Sequence, residues 1–493
     1  NKRKITGKAS KINVVNDQLR IFRIAIAATV EFTKFFGDDD NSNGSNKEDA
    51  YGAVVSSLNR ISSVFEDELS IRLELVSDES LIYEDEGSSN SMQDADPFSG
   101  NFASELQKTL DEVLGNESYD VGHLFDYGEP NGDAGCIGCV CQEGAKGQGF
   151  STHPFVDVFG GEYRNDYFDM DFAGHEIGHQ FGAYHTYSFE SEGTGFNAEP
   201  GSGTTIMGYA GIVGEDNVQL HGDPYFHYFS IQNILSNIST LDCGTLEALE
   251  SNIFDVDAGI DYSIPIGTAY ELIAKDFESQ DNLTFCWEQL DSGQVTAANF
   301  GPNNVIGSMA RSLPPQQNKV RNIPKMDLVL SNELTQENPV LNSAWETVPM
   351  VGRTMKWGLS VRKSKENFIQ LAQDEIEITV IPSAGPFFVT SQNSETIVWK
   401  GGALETVSWN VAQTNQQPIN ASKVKIFLSN DGGVTFPIIL IEETPNDGIA
   451  QVLVPNNINT NQARIKVKPL GGIFFAINQN KFSVESRAVS YTH

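Results

Sequence analysis

His175-Glu176-Ile177-Gly178-His179-Gln180-Phe181-Gly182-Ala183-Tyr184-His185 places three of the chain's eight histidines and one carboxylate within eleven positions. His175 and His179 stand four apart, so on a helix they leave from one face with about 5–6 Å between their Cβ atoms. Both can then reach one tetrahedral ion at Zn–N distances of about 2.0–2.1 Å. His185 lies six residues beyond His179 and would fall off that face if the helix ran on. Gly182 offers the remedy. Without a Cβ it can take positive φ, end the helix and return the chain so that His185 approaches from below.

Three neutral imidazoles leave a fourth position for water, whose pKa a zinc ion lowers to about 7. Glu176, next to the first imidazole, stands where a general base takes that proton and later hands it to a leaving amine. The chemistry expected is metal-assisted hydrolysis. Met207, in Thr204-Thr205-Ile206-Met207-Gly208-Tyr209, follows 22 residues after His185 and is expected to pack beneath the imidazoles rather than to bind metal.

The eleven-residue string and the Ile206-Met207-Gly208-Tyr209 turn resemble the metzincin clan of zinc endopeptidases. What precedes them is similar to the reprolysin-like (adamalysin-like) branch, especially its secreted bacterial members. Strands are expected at Leu19–Ala28, Ile71–Val76 and Val121–Phe125, with helices at Glu48–Leu69 and Ser104–Leu114, and the resemblance covers about residues 19–245. It implies zinc as cofactor, His175, His179 and His185 as its ligands, Glu176 as base, and protein or peptide substrates. It also implies a secreted, extracellular enzyme whose signal and pro-segment are not part of this chain. Tyr209 resembles the tyrosine that astacins and serralysins place near zinc, where it acts as an extra ligand or hydrogen-bonds the tetrahedral intermediate; the alternative is a packed aromatic. Thr186 departs from the pattern, since reprolysins usually carry Asp after the third His.

Residues 51–250 carry 5 Lys or Arg against 35 Asp or Glu, so most of the net charge of −34 belongs there. Such a field argues against nucleic acid and anionic lipid as partners; it would favour cationic or neutral substrates and could recruit Ca²⁺, but solubility is the role expected of it. No apolar run approaches the roughly 18 residues a membrane span needs. The acidic stretch Asp38–Asp49 sets Asp39, Asn41, Asn43 and Gly44 in the register of a calcium loop. Its twelfth position is Ala50 rather than a bidentate Glu, so a surface loop is expected and calcium is the alternative second ion. Cysteines at 136, 139, 141, 243 and 286 suggest one or two disulfides, within the first cluster or from it to Cys243, with one thiol left over.

The Gly-rich stretch Gly128–Gly149 is expected to supply the sheet edge above the cleft, where extended substrate would add as a strand. Gly211–Phe229, with His221 and His227, should wall the pocket, and Ser230–Leu241 should form a helix. From about Asn252 the pattern turns to short strands, at Ile264–Ala274, Asn282–Glu288, Lys356–Arg362 and Glu375–Ile381, around a polar insertion at Ala297–Asn342. A further set begins near Pro386, at Glu395–Trp399, Glu405–Val411, Lys423–Ser429, Arg464–Pro469 and Lys481–Val484. Ser429–Phe436 resembles the Asp-box, a turn motif without chemistry of its own.

The fold class is therefore multidomain. An α/β (α+β) metzincin catalytic domain spans 1–250, an immunoglobulin-like β-sandwich 251–384, and a fibronectin-III- or immunoglobulin-like β-sandwich 385–493. The two all-β sandwich domains would be spacers or substrate-capture modules. The competing reading is a binding or adhesion protein whose catalytic domain has decayed; the intact Glu176 argues against it.

Overall fold

The computed structural model describes residues 18–40, 42, 44–84, 96–157, 159–248, 256–275, 282–364 and 369–487. The boundary expected at 250/251, and Asn41 and Asn43 of the acidic loop, lie outside the described residues.

The first half is a mixed sheet between layers of helices. It runs β1 (Gln18–Ala28), α1 (Val30–Phe36), α2 (Asn46–Leu69), β2 (Ile71–Leu75), α3 (Phe102–Val113), β3 (Val121–Asp126), β4 (Asn131–Asp133) and β5 (Gly149–Thr152). Then follow α4 (Asn165–Phe168), α5 (His175–Phe181), α6 (Tyr228–Ile238) and β6 (Thr245–Ala248). The sheet order is β2-β1-β3-β5-β4, parallel except at the edge, where β4 runs antiparallel to β5; β6 adds antiparallel to β1. Central β1 shows why both faces are covered. Phe22, Ile24, Ile26 and Ala28 join the core under α2, α5 and α6, while Ala25 and Ala27 face Leu106 and Leu110 of α3. The period of two sorts one strand between two cores.

Helix α2 starts two residues earlier than expected because Ser45 and Glu48 form a reciprocal capping box. In the acidic loop, the Asp38 and Asp40 carboxylates accept from the backbone N–H of Asp40 and Ser42. The edge strand falls at Asn131–Asp133, ahead of the Ala134–Gly138 run within the Gly-rich stretch. Disulfides join Cys136 to Cys139 and Cys141 to Cys243, and Cys286 is a buried free thiol.

Among its described residues, the second half is all β apart from a short helix, α7 (Met326–Ser331). Strands β7 (Tyr262–Pro265), β9 (Leu283–Gln289), β11 (Thr354–Ser364) and β12 (Ile369–Ile381) make a sheet ordered β7-β12-β11-β9, while β8 (Tyr270–Ile273) pairs with β10 (Val320–Ile323). The single strand expected at Ile264–Ala274 is thus two strands in different sheets. The chain turns between them at Gly267, which has φ +59° and donates its N–H to Pro349 O. Beyond 385, Phe388–Val389, Leu404–Asn410 and Ile449–Leu453 form a three-stranded sheet. It faces a six-stranded one centred on Lys423–Ser429 and Thr460–Pro469. The strands at Ile438–Pro445 and Ile449–Leu453 escaped the sequence reading: the first buries no residue, and the second turns its large apolar Ile449 and Leu453 to solvent. At the Asp-box, Asp431 accepts from the Thr435 N–H and hydroxyl, the local turn expected.

The two halves share buried contacts. Arg362 of β11 forks onto Glu68 of α2, both nearly inaccessible, and Glu68 also accepts the Phe226 N–H at 3.1 Å. Ser70 Oγ donates to Ile369 O at 2.7 Å, and Leu371 of β12 belongs to the core beneath the first half's sheet. No helix among the described residues is long and apolar enough to cross a membrane.

Candidate metal centre

A π-helical turn, Asp169–Gly174, feeds α5, so His175, Glu176 and His179 all leave one continuous helical run. Gly182 ends it at φ +117°, with its N–H bonded back to the last turn. The chain then reverses and His185 comes in from the side. His179 Nε2 lies 3.1 Å from His175 Nε2 and 3.0 Å from His185 Nε2.

The opposite ring nitrogens explain this convergence. His175 Nδ1 donates to Ile206 O at 2.6 Å, His179 Nδ1 to Ala183 O at 2.7 Å, and His185 Nδ1 to Glu192 Oε1 at 2.7 Å. Carbonyl and carboxylate oxygens can only accept, so the proton of each neutral ring sits on Nδ1. Three Nε2 lone pairs then face one another with no hydrogen between them. Lone pairs so placed repel unless a cation lies among them, and ligands of a tetrahedral zinc at about 2.0–2.1 Å stand about 3.3–3.4 Å apart. The residues fit a metal ion. Among the described residues this is the one group of His, Cys, Asp or Glu side chains gathered closely enough to hold one.

Burial, and then the neighbouring imidazoles, hold His175 well below the ordinary imidazole value and push His179 down to about 3. Both are kept neutral, the state a ligand needs. Burial also opposes the charge of Glu192, but the hydrogen bonds from His185 and Tyr187 outweigh it and leave that carboxyl below its usual range. Burial and then nearby Asp133 push Glu176 up to about 8, against the pull of the Ala134 N–H.

Met207 is fully buried beneath α5. A Cβ on Gly178 would sit 2.7 Å from the Met207 sulfur, so the fourth residue of the motif must lack one for the turn to approach. Tyr209 packs its ring 5.6 Å from that of His175 and 4.7 Å from that of His185. Burial, with Glu176 and Glu192 nearby, lifts its hydroxyl to about 12, so the phenol keeps its proton. The cleft has a volume of about 390 Å³ and is lined by β4 residues Gly132 and Asp133 together with Glu176, Glu192, Thr194 and Tyr209.

Two residues in the site carry no motif and were missed. Glu192 orients His185, and the Tyr187 hydroxyl donates to the same carboxylate oxygen at 2.9 Å. Glu199 is fully buried and takes hydrogen bonds from the Thr186 hydroxyl at 2.6 Å, the Thr205 hydroxyl at 2.5 Å and the Thr204 N–H at 2.8 Å. It thereby knots the residue after His185 to the turn before Met207. Where reprolysins carry Asp, this chain has Thr186 bonded to a carboxylate thirteen residues on. A signal existed only in the unusual density of Thr and Glu between the motif and the turn.

The other two candidate histidines are engaged elsewhere. His221 stacks on Tyr167 with centroids 3.3 Å apart and donates to Asp171 at 3.0 Å, while His227 caps α6 by accepting the Phe229 N–H.

Residues 18–241 match the family model of the reprolysin-like metallopeptidases of family M12B. No curated protein matches the chain. Solved structures similar to it include a chimeric titin Z1Z2, at 10% identity over 46% of this chain and 94% of that one, TM-score 0.14. Others are the fibronectin(III)-like modules of Clostridium thermocellum CbhA, at 7% over 48% and 99%, TM-score 0.15, and Drosophila N-cadherin EC1-4, at 7% over 50% and 53%, TM-score 0.15. With the motif, the converging imidazoles and the family match in agreement, residues 18–241 are a reprolysin-like metallopeptidase domain of family M12B.

Proposed function

We propose that the chain is a secreted zinc endopeptidase in which His175, His179 and His185 hold the ion and Glu176 is the general base. The observation that carries this reading is the convergence of three Nε2 lone pairs beside a half-buried carboxylate, under an exposed sheet edge. A zinc ion there would supply Lewis acidity toward a peptide carbonyl and lower the pKa of water. Glu176 takes the proton from the attacking water and returns it to the leaving amine. Tyr209, protonated and beside two of the imidazoles, donates to the oxyanion that develops at the carbonyl. Strand β4 pairs with an extended peptide and aligns the scissile bond along the cleft.

Asp133, Glu176 and Glu192 line the cleft without a Lys or Arg, which supports peptides with basic or neutral side chains around the cleaved bond. Two disulfides support work outside the reducing cytosol. The test is zinc content together with cleavage of unfolded casein by the wild type and Glu176→Ala. One zinc in each and loss of more than about 10³-fold in turnover for the variant is expected, as general acid–base steps are worth about 10²–10⁴. A variant that keeps above a tenth of the rate sinks the assignment.

A further inference from the structure

The loop that carries Glu192 to His185 is not held by the metallopeptidase domain alone. Residues Gly293–Val295 follow β9 and lie well outside the family-matched segment 18–241. Gly293 N–H donates to Asn197 O at 3.2 Å, and Val295 N–H to Ser188 O at 2.7 Å. Gln294 Nε2 donates to Phe189 O at 3.0 Å, and Val295 O accepts the Gly201 N–H at 2.8 Å. Asn197 in turn spans the loop from inside: its side chain donates to Tyr187 O at 2.8 Å and accepts the Glu192 N–H at 3.2 Å. From the clamp to His185 the path is therefore Gly293, Asn197, Glu192, each joined to the next by a hydrogen bond. Val295 is anchored behind this contact, fully buried with Val218, Phe300, Met309 and Trp345.

We propose that Gly293–Val295 of the β-rich half is a positioning element for the metal centre, holding the loop Tyr187–Asn197 so that Glu192 orients His185. The β-rich half on this account completes the site rather than spacing it from substrate. The proposal rests on the zinc reading of the three imidazoles. The physical reason is entropic. A seven-residue excursion between His185 and Glu192, rich in Gly and Ser beyond it, keeps one carboxylate on one imidazole only if its backbone is tied.

The experiment is zinc release from the full chain into a chromophoric chelator, for wild type, Glu192→Ala, Glu192→Gln, Val295→Pro and the double variant Glu192→Ala/Val295→Pro. Val295→Pro deletes the N–H bonded to Ser188; should it not fold, Val295→Ala, which empties the pocket beside Trp345, takes its place in the same cycle. Orienting partners of metal-bound histidines are worth about 10–100-fold in metal affinity. Glu192→Ala should therefore release zinc about 10–100-fold faster and the Val295 variant about tenfold faster. Glu192→Gln, which keeps an acceptor for His185, should stay within about threefold of wild type. The double variant should be no worse than Glu192→Ala, because both changes act through one carboxylate. Multiplying effects, or a folded Val295 variant within twofold of wild type, would overturn the proposal while leaving the zinc reading intact. A wild type that takes up no zinc would instead remove that reading itself.

Discussion

Each of the three clustered histidines spends its Nδ1–H on an oxygen that can only accept, and this decides which nitrogen is free for metal. The partners differ in kind. Ile206 O and Ala183 O are backbone atoms supplied by the Met-turn and by the end of α5, whereas Glu192 is a side chain on a loop. His185 is thus the imidazole most easily detuned by mutation. Tyr209→Phe tests the oxyanion role: a fall of roughly tenfold in kcat with KM little changed is expected, as for a lost hydrogen bond of about 1.4 kcal/mol made only in the transition state. An unchanged kcat in steady-state assays would make Tyr209 a packed aromatic.

Helix α5 is tied on both flanks by elements the motif does not name. On the sheet side, Gln180 accepts from His123 Nδ1 of β3 at 3.0 Å and donates to Gly122 O at 2.9 Å, and the Ser151 hydroxyl of β5 satisfies His123 Nε2. On the other side the Met207 sulfur lies against Gly178. In a free helix Gly178→Ala would stabilise by about 1 kcal/mol. Here the new Cβ would meet that sulfur at 2.7 Å and the Phe226 ring at 3.3 Å, and overpacking costs about 1–3 kcal/mol. A lower melting temperature with weakened zinc binding is expected, and a more stable variant would contradict the packing. Burial also pushes His123 down to about 4. An unfolded imidazole takes a proton below about 6.5, so between about pH 6.5 and 4 the unfolded chain binds a proton that the native chain refuses. Stability therefore falls as pH falls through that window, by about 2 kcal/mol at pH 5 for this group. Asp169, pushed up to about 6 by burial, works in the opposite direction over about pH 6 to 4 and offsets part of the loss. His123→Gln should flatten the fall in denaturant midpoint between pH 7 and pH 5; an unaltered slope would mean that other groups govern it.

Across the whole molecule, the Glu68–Arg362 pair is a buried ionic link between the halves. Removing one partner of a buried, hydrogen-bonded ion pair costs about 3–5 kcal/mol because the other charge is stranded. Glu68→Ala should lower stability by that amount, and Arg362→Met with Glu68→Gln by clearly less, read by urea unfolding of the full chain. If Glu68→Ala cost under about 1 kcal/mol, the halves would not be coupled through this contact. Calorimetry should show the two halves melting together, given this pair, Leu371 in the first half's core and the clamp at Gly293–Val295.

Helices α1 and α4 and strand β5 went unread, but local spacing was enough to place β1, α2, β2, α3 and β3 within about two residues, the helix of the motif, its end at Gly182 and the histidine trio. Those follow from the 3.6-residue helical period, the two-residue strand period and one glycine, all short-range rules. The split of Ile264–Ala274 depended on a sheet partner, because each piece pairs with a strand far along the chain. Cysteine pairing was equally open, since Cys141 meets Cys243 only after 102 residues of chain have folded back. Glu192 on His185, Glu199 between Thr186 and the Met-turn, and Gly293–Val295 behind both belong to the same class. Their roles are contacts between segments whose order along the chain carries no period, so only the tertiary structure decided them, whereas the three imidazoles were determined by the sequence itself.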